Sequence, residues 1–195
     1  MIEEHVPPSL YKDLLIEAYL DNTQKNNPLQ PLKIEFFTNG SMIRLKNHEA
    51  LIGAAWIQTK GPNPGSSFAA GISDWPLPFK VELTAILLAV LTIPFKSVVT
   101  IQTDGLSVIK KYKKLSEMCP KRTHRKWLKE KNWSLWIRLI DIIKKKELQI
   151  EFLKVQAHSD NVFNNQVDQL AKLAINEPPI FWKDLDNTIL VATPT

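Results

Sequence analysis

Cysteine is nearly missing from this chain. Cys119 is the only one among 195 residues, so no intrachain disulfide can form, and a cysteine-based zinc site has no second thiolate. The expected setting is a reducing compartment, cytosol or nucleus. Long apolar runs are missing as well. The longest, Ala85 to Leu91, is far shorter than the roughly 20 residues a membrane-spanning helix needs, and no membrane partner is expected. The opening MIEEHVPPSL is acidic and lacks the basic-then-apolar order of a secretory signal. No internal repeat is visible.

What the chain does have is apolar content, 44% by residue type, enough for one domain with a sizeable core. Its net charge of +5 is unevenly spread. Between Lys110 and Trp133, ten basic residues stand against Glu117 and Glu130, a local net of +8, which leaves −3 for everything else. A concentrated basic segment on a slightly acidic body points to a polyanionic partner. Taken by itself, the segment reads equally well as a solvated lysine-rich helix face.

Residues 1–32 read as an appendage. Ser9 can cap a short helix that places Leu10, Leu14, Leu15 and Ala18 at helical spacing, and a polar, proline-punctuated linker follows to Pro31. The body begins at Lys33. Ile34 to Thr38 reads as a strand closed by an Asn39-Gly40 turn; Leu51 to Gln58 and Ser67 to Ile72 follow as strands with short connections, an antiparallel meander. Val81 to Leu91 is apolar on nearly every face and reads as a buried helix. Ser97 to Gln102 is a β-branched strand, Leu106 to Leu115 a helix, Trp133 to Lys145 an amphipathic helix, Leu148 to Val155 a fifth strand, and Asn165 to Ile175 a closing helix. Residues 178–195 form a tail. This order predicts an α/β fold: a mixed five-stranded sheet, three antiparallel strands plus two parallel ones, with helices on both faces.

Several polar residues fall at predicted element ends, where sheets of this kind gather chemistry. Asn39 closes the first strand, Glu82 opens the buried helix, Asp104 follows the fourth strand, and Asp168 lies near the start of the last helix, ten residues after His158. Each has an ordinary explanation: Asn-Gly is a common turn pair, and acidic residues complement helix N-termini. Together they suggest more. Carboxylates meeting at one end of a sheet repel one another and are tolerated when a hard dication binds among them. Two such ions about 3.5–4 Å apart promote phosphodiester hydrolysis, and the basic segment would hold the phosphates.

Five blocks then resemble, in order, the motifs of type 1 ribonuclease H. FFTNGS resembles the opening YTDGS-like motif; KVELTAI resembles the glutamate-bearing helix start; IQTDGLSVI resembles the TDS-containing strand and helix. KNWSLWIRLI resembles the tryptophan-bearing helix after the family's basic protrusion, and KVQAHSDNVFNNQVDQLAKLA resembles the KVKAHSG…NE-x-AD-x-LAK ending. The match covers about residues 33–176, with 33–177 expected as the domain. It is nearest to the copies carried by retroelement polymerases, which fits a piece of a larger polyprotein. The resemblance implies hydrolysis of the RNA strand of RNA–DNA hybrids with two magnesium or manganese ions. It makes Glu82, Asp104 and Asp168 metal ligands, Asn39 a weak one, and His158 a mobile histidine assisting proton transfer or product departure. It places Gly40, Ser41 and Asn164 against nucleic acid, together with a basic handle of Lys121, Arg122, Arg125, Lys126, Trp127, Lys129 and Lys131.

The chain departs from the family pattern in three places. Asn39 stands where the family has its central aspartate, an amide in place of the strongest anionic ligand. Pro78-Phe79-Lys80 replaces polar residues that face the minor groove, and TDGL replaces TDSQ. Asn165 also takes a common glutamate position. Two functions follow as expectations: a hybrid-cleaving enzyme impaired by Asn39, or a catalytically inactive binding module of the same fold. A metal nuclease acting on DNA is a third, weakened by the same missing carboxylate.

Overall fold

The computed structural model describes residues 30–44, 46, 50–72, 77–118, 124–156, 160–177 and 179–180. The predicted amino-terminal helix and most of its linker, together with Cys119, Lys121, Arg122, His158 and residues 181–195, lie outside the described residues.

Strands β1 (Lys33–Arg44), β2 (Ala50–Lys60) and β3 (Ser67–Ile72) form the expected antiparallel meander. Strands β4 (Val98–Thr103) and β5 (Gln149–Lys154) join it in parallel on the far side of β1. The sheet order is β5-β4-β1-β2-β3, extended by a two-residue strand β6 (Pro179–Ile180) that pairs in parallel with β3. The mixed five-stranded sheet is therefore as expected, and β6 is an addition at its edge.

Helix α1 (Pro78–Thr92) crosses one face of the sheet, with α2 (Leu106–Met118), the short α3 (His124–Leu128) and α4 (Trp133–Lys145) on the same side. Helix α5 (Val162–Leu173), followed by a 3₁₀ turn at Ala174–Asn176, covers the opposite face of β1, β2 and β3. Strand alternation divides the core accordingly. Ile34 and Phe36 of β1 point to the larger cluster with Val99 and Ile101 of β4, whereas Phe37 points to the smaller one with Val167 and Ala171 of α5. Gly53 lets α5 sit directly on β2: a Cβ there would lie 2.0 Å from the Ala171 carbonyl oxygen. Among the described residues no helix is long and apolar enough to cross a membrane.

Local chemistry explains the ends of α1. Leu77 is held extended at the N-cap by the following Pro78, which starts the helix at a position where its missing N–H costs nothing. At the other end, Ile93 is extended before Pro94. The freed carbonyls are taken by Lys146, just past α4. Its buried Nζ donates to the carbonyl oxygens of Val90, Leu91 and Ile93 at 3.3, 2.7 and 2.7 Å. Burial pushes the Lys146 ammonium down to about 7. The three acceptors favour the charged form, since only the ammonium has three hydrogens to offer.

Two sequence expectations need correction. The first strand does not stop at Thr38. It runs through Asn39-Gly40 to Arg44 because β2 stays paired with it as far as Arg44 opposite Ala50, and Gly40 lacks the positive φ that Gly61 and Gly65 adopt. The last helix starts three residues earlier than expected, at Val162. Asn161 caps it, accepting the Asn164 backbone N–H at 3.0 Å.

Lys146→Met should strand the Leu91 and Ile93 carbonyl groups, leaving Val90 with only the Ile93 N–H, and lower the free energy of unfolding by about 1–3 kcal/mol. Urea denaturation would measure it. An unchanged midpoint would show that the ammonium does not hold the helix end.

Candidate active site

The four residues singled out at element ends are brought together. The parallel ladder between β1 and β4 ends at Phe37 opposite Gln102. Two residues further on, Asn39 is still on β1 while Asp104 stands just beyond the end of β4. Asn39 is thus not a turn residue but a mid-strand side chain, opposite Ala55 of β2 and only 5% exposed. Glu82 reaches the same place from above. It lies in the second turn of α1, not in the first turn as the sequence suggested, because Pro78 begins the helix earlier than Val81.

Gly40 makes that approach possible. A Cβ at Gly40 would meet Val81 Cγ1 at 2.7 Å and the Glu82 backbone nitrogen at 2.8 Å. The bare backbone lets α1 press onto β1, and the Gly40 N–H donates to the Glu82 carboxylate. Gly105, after β4, closes the other side, its Cβ position 3.6 Å from the Glu82 Cβ. Gly40 therefore serves helix packing, and Ser41 beside it is half-buried on β1.

Asp168 comes from the opposite face, midway along α5. Its Oδ1 accepts from the Asn39 amide nitrogen at 3.5 Å, and its Oδ2 from Lys172 Nζ at 2.5 Å. The amide orientation follows from this contact, because turning it over would set oxygen against oxygen. Lys172 escaped the sequence reading, although its i,i+4 spacing from Asp168 on a helix was a usable signal.

Glu82 carries most of the electrostatic strain. Its Oε2 is buried without a hydrogen-bond partner. Desolvation, then the charges of Asp104 and Asp168, push its carboxyl up to about 8, against the opposing Gly40 hydrogen bond. A buried carboxylate oxygen without a donor, beside two more carboxylates, is an all-oxygen donor set of the kind that hard divalent cations take. The residues fit such an ion. Asn39 fits least well: its amide donates to Asp168 and would have to turn to offer oxygen. Among the described residues, no three acidic or histidine side chains stand close enough to form a ready-made cage, as expected of like charges with no cation between them.

The basic handle is assembled only in part. Arg125, Lys126, Lys129 and Lys131 are exposed on and after α3, and Lys111 of α2 pairs with Glu130. Trp127 does not belong to that surface. It is 7% exposed and packs into the larger core cluster, because the five-residue α3 needs an apolar anchor. Asn164 is buried at the start of α5. Phe163, unremarked in the sequence, leans on Phe37 with ring centroids 5.6 Å apart, beside the cluster.

Comparison with known proteins places these features. The sequence model of the ribonuclease H family, RNase H, matches residues 31–176. Ribonuclease H of Clostridium botulinum (strain Hall) is 45% identical over 47 residues, 24% of this chain and 30% of that protein. Ribonuclease H of Chlorobium chlorochromatii is 48% identical over 46 residues, again 24% and 30%. The aligned stretch thus spans under a third of these relatives. The foamy viral protease-reverse transcriptase solved in complex with dsDNA superposes with a TM-score of 0.58 at 20% identity, covering 77% of this chain and 99% of that one. LC9-RNase H1, a type 1 RNase H with the type 2 active-site motif, gives 0.59 at 14% identity, covering 76% and 74%. At these identities the structures establish the shared fold.

A group whose folded pKa is raised stabilises fully below its unfolded value and loses that contribution as pH climbs through the folded one. For Glu82 the window runs from 4.5 to about 8. Glu82→Gln should match the parent below pH 4.5 and become the more stable protein above pH 8, by a few kcal/mol, roughly. Urea midpoints of both proteins across this range would test it, since taking the difference removes every other titration. A gap that does not vary with pH would refute the assignment.

Proposed function

The chain belongs to the ribonuclease H family, and we propose that its body is a divalent-metal-dependent hydrolase domain directed at the RNA strand of RNA–DNA hybrids, disarmed in large part by Asn39. One observation carries the reading: Glu82, Asp104, Asp168 and Asn39 converge from α1, β4, α5 and β1, with a buried Glu82 oxygen left unpartnered.

Glu82, Asp104 and Asp168 would hold magnesium or manganese. Bound ions of this kind polarise the phosphate and make water a stronger nucleophile. The chain's own residues do the rest. The exposed Arg125, Lys126, Lys129 and Lys131 hold phosphates and fix the register of the duplex. Hydrolysis adds the water oxygen to phosphorus and breaks a bridging P–O bond, and the leaving oxygen takes up a proton. His158 is the residue that the family resemblance assigns to this proton transfer.

Asn39 works against this chemistry in two ways. It removes one negative charge where two dications must be held together. Its N–H also engages Asp168, as Lys172 does, so binding an ion there means breaking existing hydrogen bonds. That observation favours a second reading, a ribonuclease H-fold module that binds hybrid duplexes without cutting them.

Asn39→Asp should raise the rate of hybrid cleavage in magnesium by orders of magnitude over the chain as written, followed with a labelled RNA strand and repeated in manganese. Equal rates would overturn the role given to Asn39. Hybrid binding without cleavage by either protein would establish the second reading. Replacing Lys126, Lys129 and Lys131 by Ala should weaken hybrid binding and flatten its dependence on salt. The log–log slope should fall by up to about one for each lysine that neutralises a phosphate. A salt-independent affinity in the unaltered chain would rule out the handle.

A further inference from the structure

Both oxygens of Asp168 are engaged. Oδ1 accepts from the Asn39 amide at 3.5 Å and Oδ2 from Lys172 Nζ at 2.5 Å. The two donors differ in kind. Asn39 is neutral, buried and fixed on β1. Lys172 is a cation one turn further along α5, in the acid-then-base i,i+4 order that favours pairing. Its side chain is 55% exposed, against 27% for Asp168.

An ammonium and a divalent cation want the same thing from a carboxylate, its negative charge and its oxygen lone pairs. They also repel each other. Lys172 therefore has to leave Oδ2, or share the carboxylate with a like charge, before a divalent ion can use that oxygen. Leaving is open to it, because its half-exposed stem can swing into water. Lys146 is the contrasting case: its ammonium is buried under three carbonyl oxygens and has no such exit.

We propose that Lys172 is a built-in competitor for the divalent ion. Its ammonium occupies Asp168 while the ion is absent and is displaced when one binds, so residue 172 sets the ion affinity of the cluster. This rests on the reading of the cluster as a divalent-ion site. The effect adds to that of Asn39, since the two side chains hold different oxygens of the same carboxylate.

The test is calorimetric titration of the full chain with manganese, without nucleic acid, so that no turnover enters. Lys172→Met keeps the stem and removes the charge. It should tighten manganese binding by up to about fivefold, the range that an exposed ion pair supplies. Lys172→Arg returns a cation to the same place and should bind manganese as the parent does. Lys145→Met is the control. Lys145 pairs with Asp141 at 3.0 Å with the same spacing, but at the end of α4, beside the start of β5 and away from the cluster. Its replacement should leave the affinity unchanged. The gain from Lys172→Met should appear again in Asn39→Asp protein, and circular dichroism confirms the folding of each variant. An affinity unmoved or lowered by Lys172→Met, or raised equally by Lys145→Met, would overturn the proposal. If neither the parent nor Asn39→Asp takes up manganese, the divalent-ion reading itself fails, a result distinct from both.

Discussion

The contact of α1 with β1 at Gly40 constrains everything around it. α1 is apolar on almost every side and belongs in the interior, yet it carries one carboxylate. A side chain at residue 40 would hold the helix off the strand. With none, Val81 and Glu82 press against the backbone, and Glu82 is delivered beside Asn39 and Asp104 at the edge of the core. Pro78 at the start of α1 and Lys146 at its end then set the length and position of the helix. The charged site and the apolar core are thus two results of one packing decision.

The electrostatics follow from that placement. Glu82 is forced out of water next to two like charges, and its carboxyl is driven up to about 8. A fourth carboxylate at residue 39 would add to this repulsion in the absence of a cation. The amide that stands there relieves it, donating to Asp168, while Lys172 neutralises Asp168 from the next turn of α5. An amide at residue 39 therefore adds no charge to the cluster and spares the ion-free protein that repulsion.

Much of the fold was legible because its signals are local. The short turn-bounded runs of β1 and β3, the β-branched run of β4 and the amphipathic spacing of Trp133–Lys145 each identify an element with little outside help. Errors arose where a partner overrides local preference. Asn-Gly reads as a turn, but pairing with β2 keeps the chain extended through it. Trp127 in a basic segment reads as a nucleic-acid contact, but a five-residue helix with no other large apolar side chain facing inward uses it as an anchor. The candidate cluster was legible as a set of residues because chemistry restricts residue type at element ends. Its hydrogen bond from Asn39 to Asp168 was not, since it joins a strand and a helix far apart in the chain, whereas the Lys172–Asp168 pair lies within α5 at i,i+4 spacing.

Sequence alone determined the class of the sheet, the order of its elements, the position of the basic segment and the four residues of the cluster, all set by periodicity, charge and residue type along the chain. Tertiary structure alone decided that Gly40 is a packing residue, that Lys146 closes α1, and that one Glu82 carboxylate oxygen is buried without a hydrogen-bond partner. These are facts of distance and burial. They depend on which surfaces meet when the helices settle on the sheet, and no pattern within a single segment encodes them.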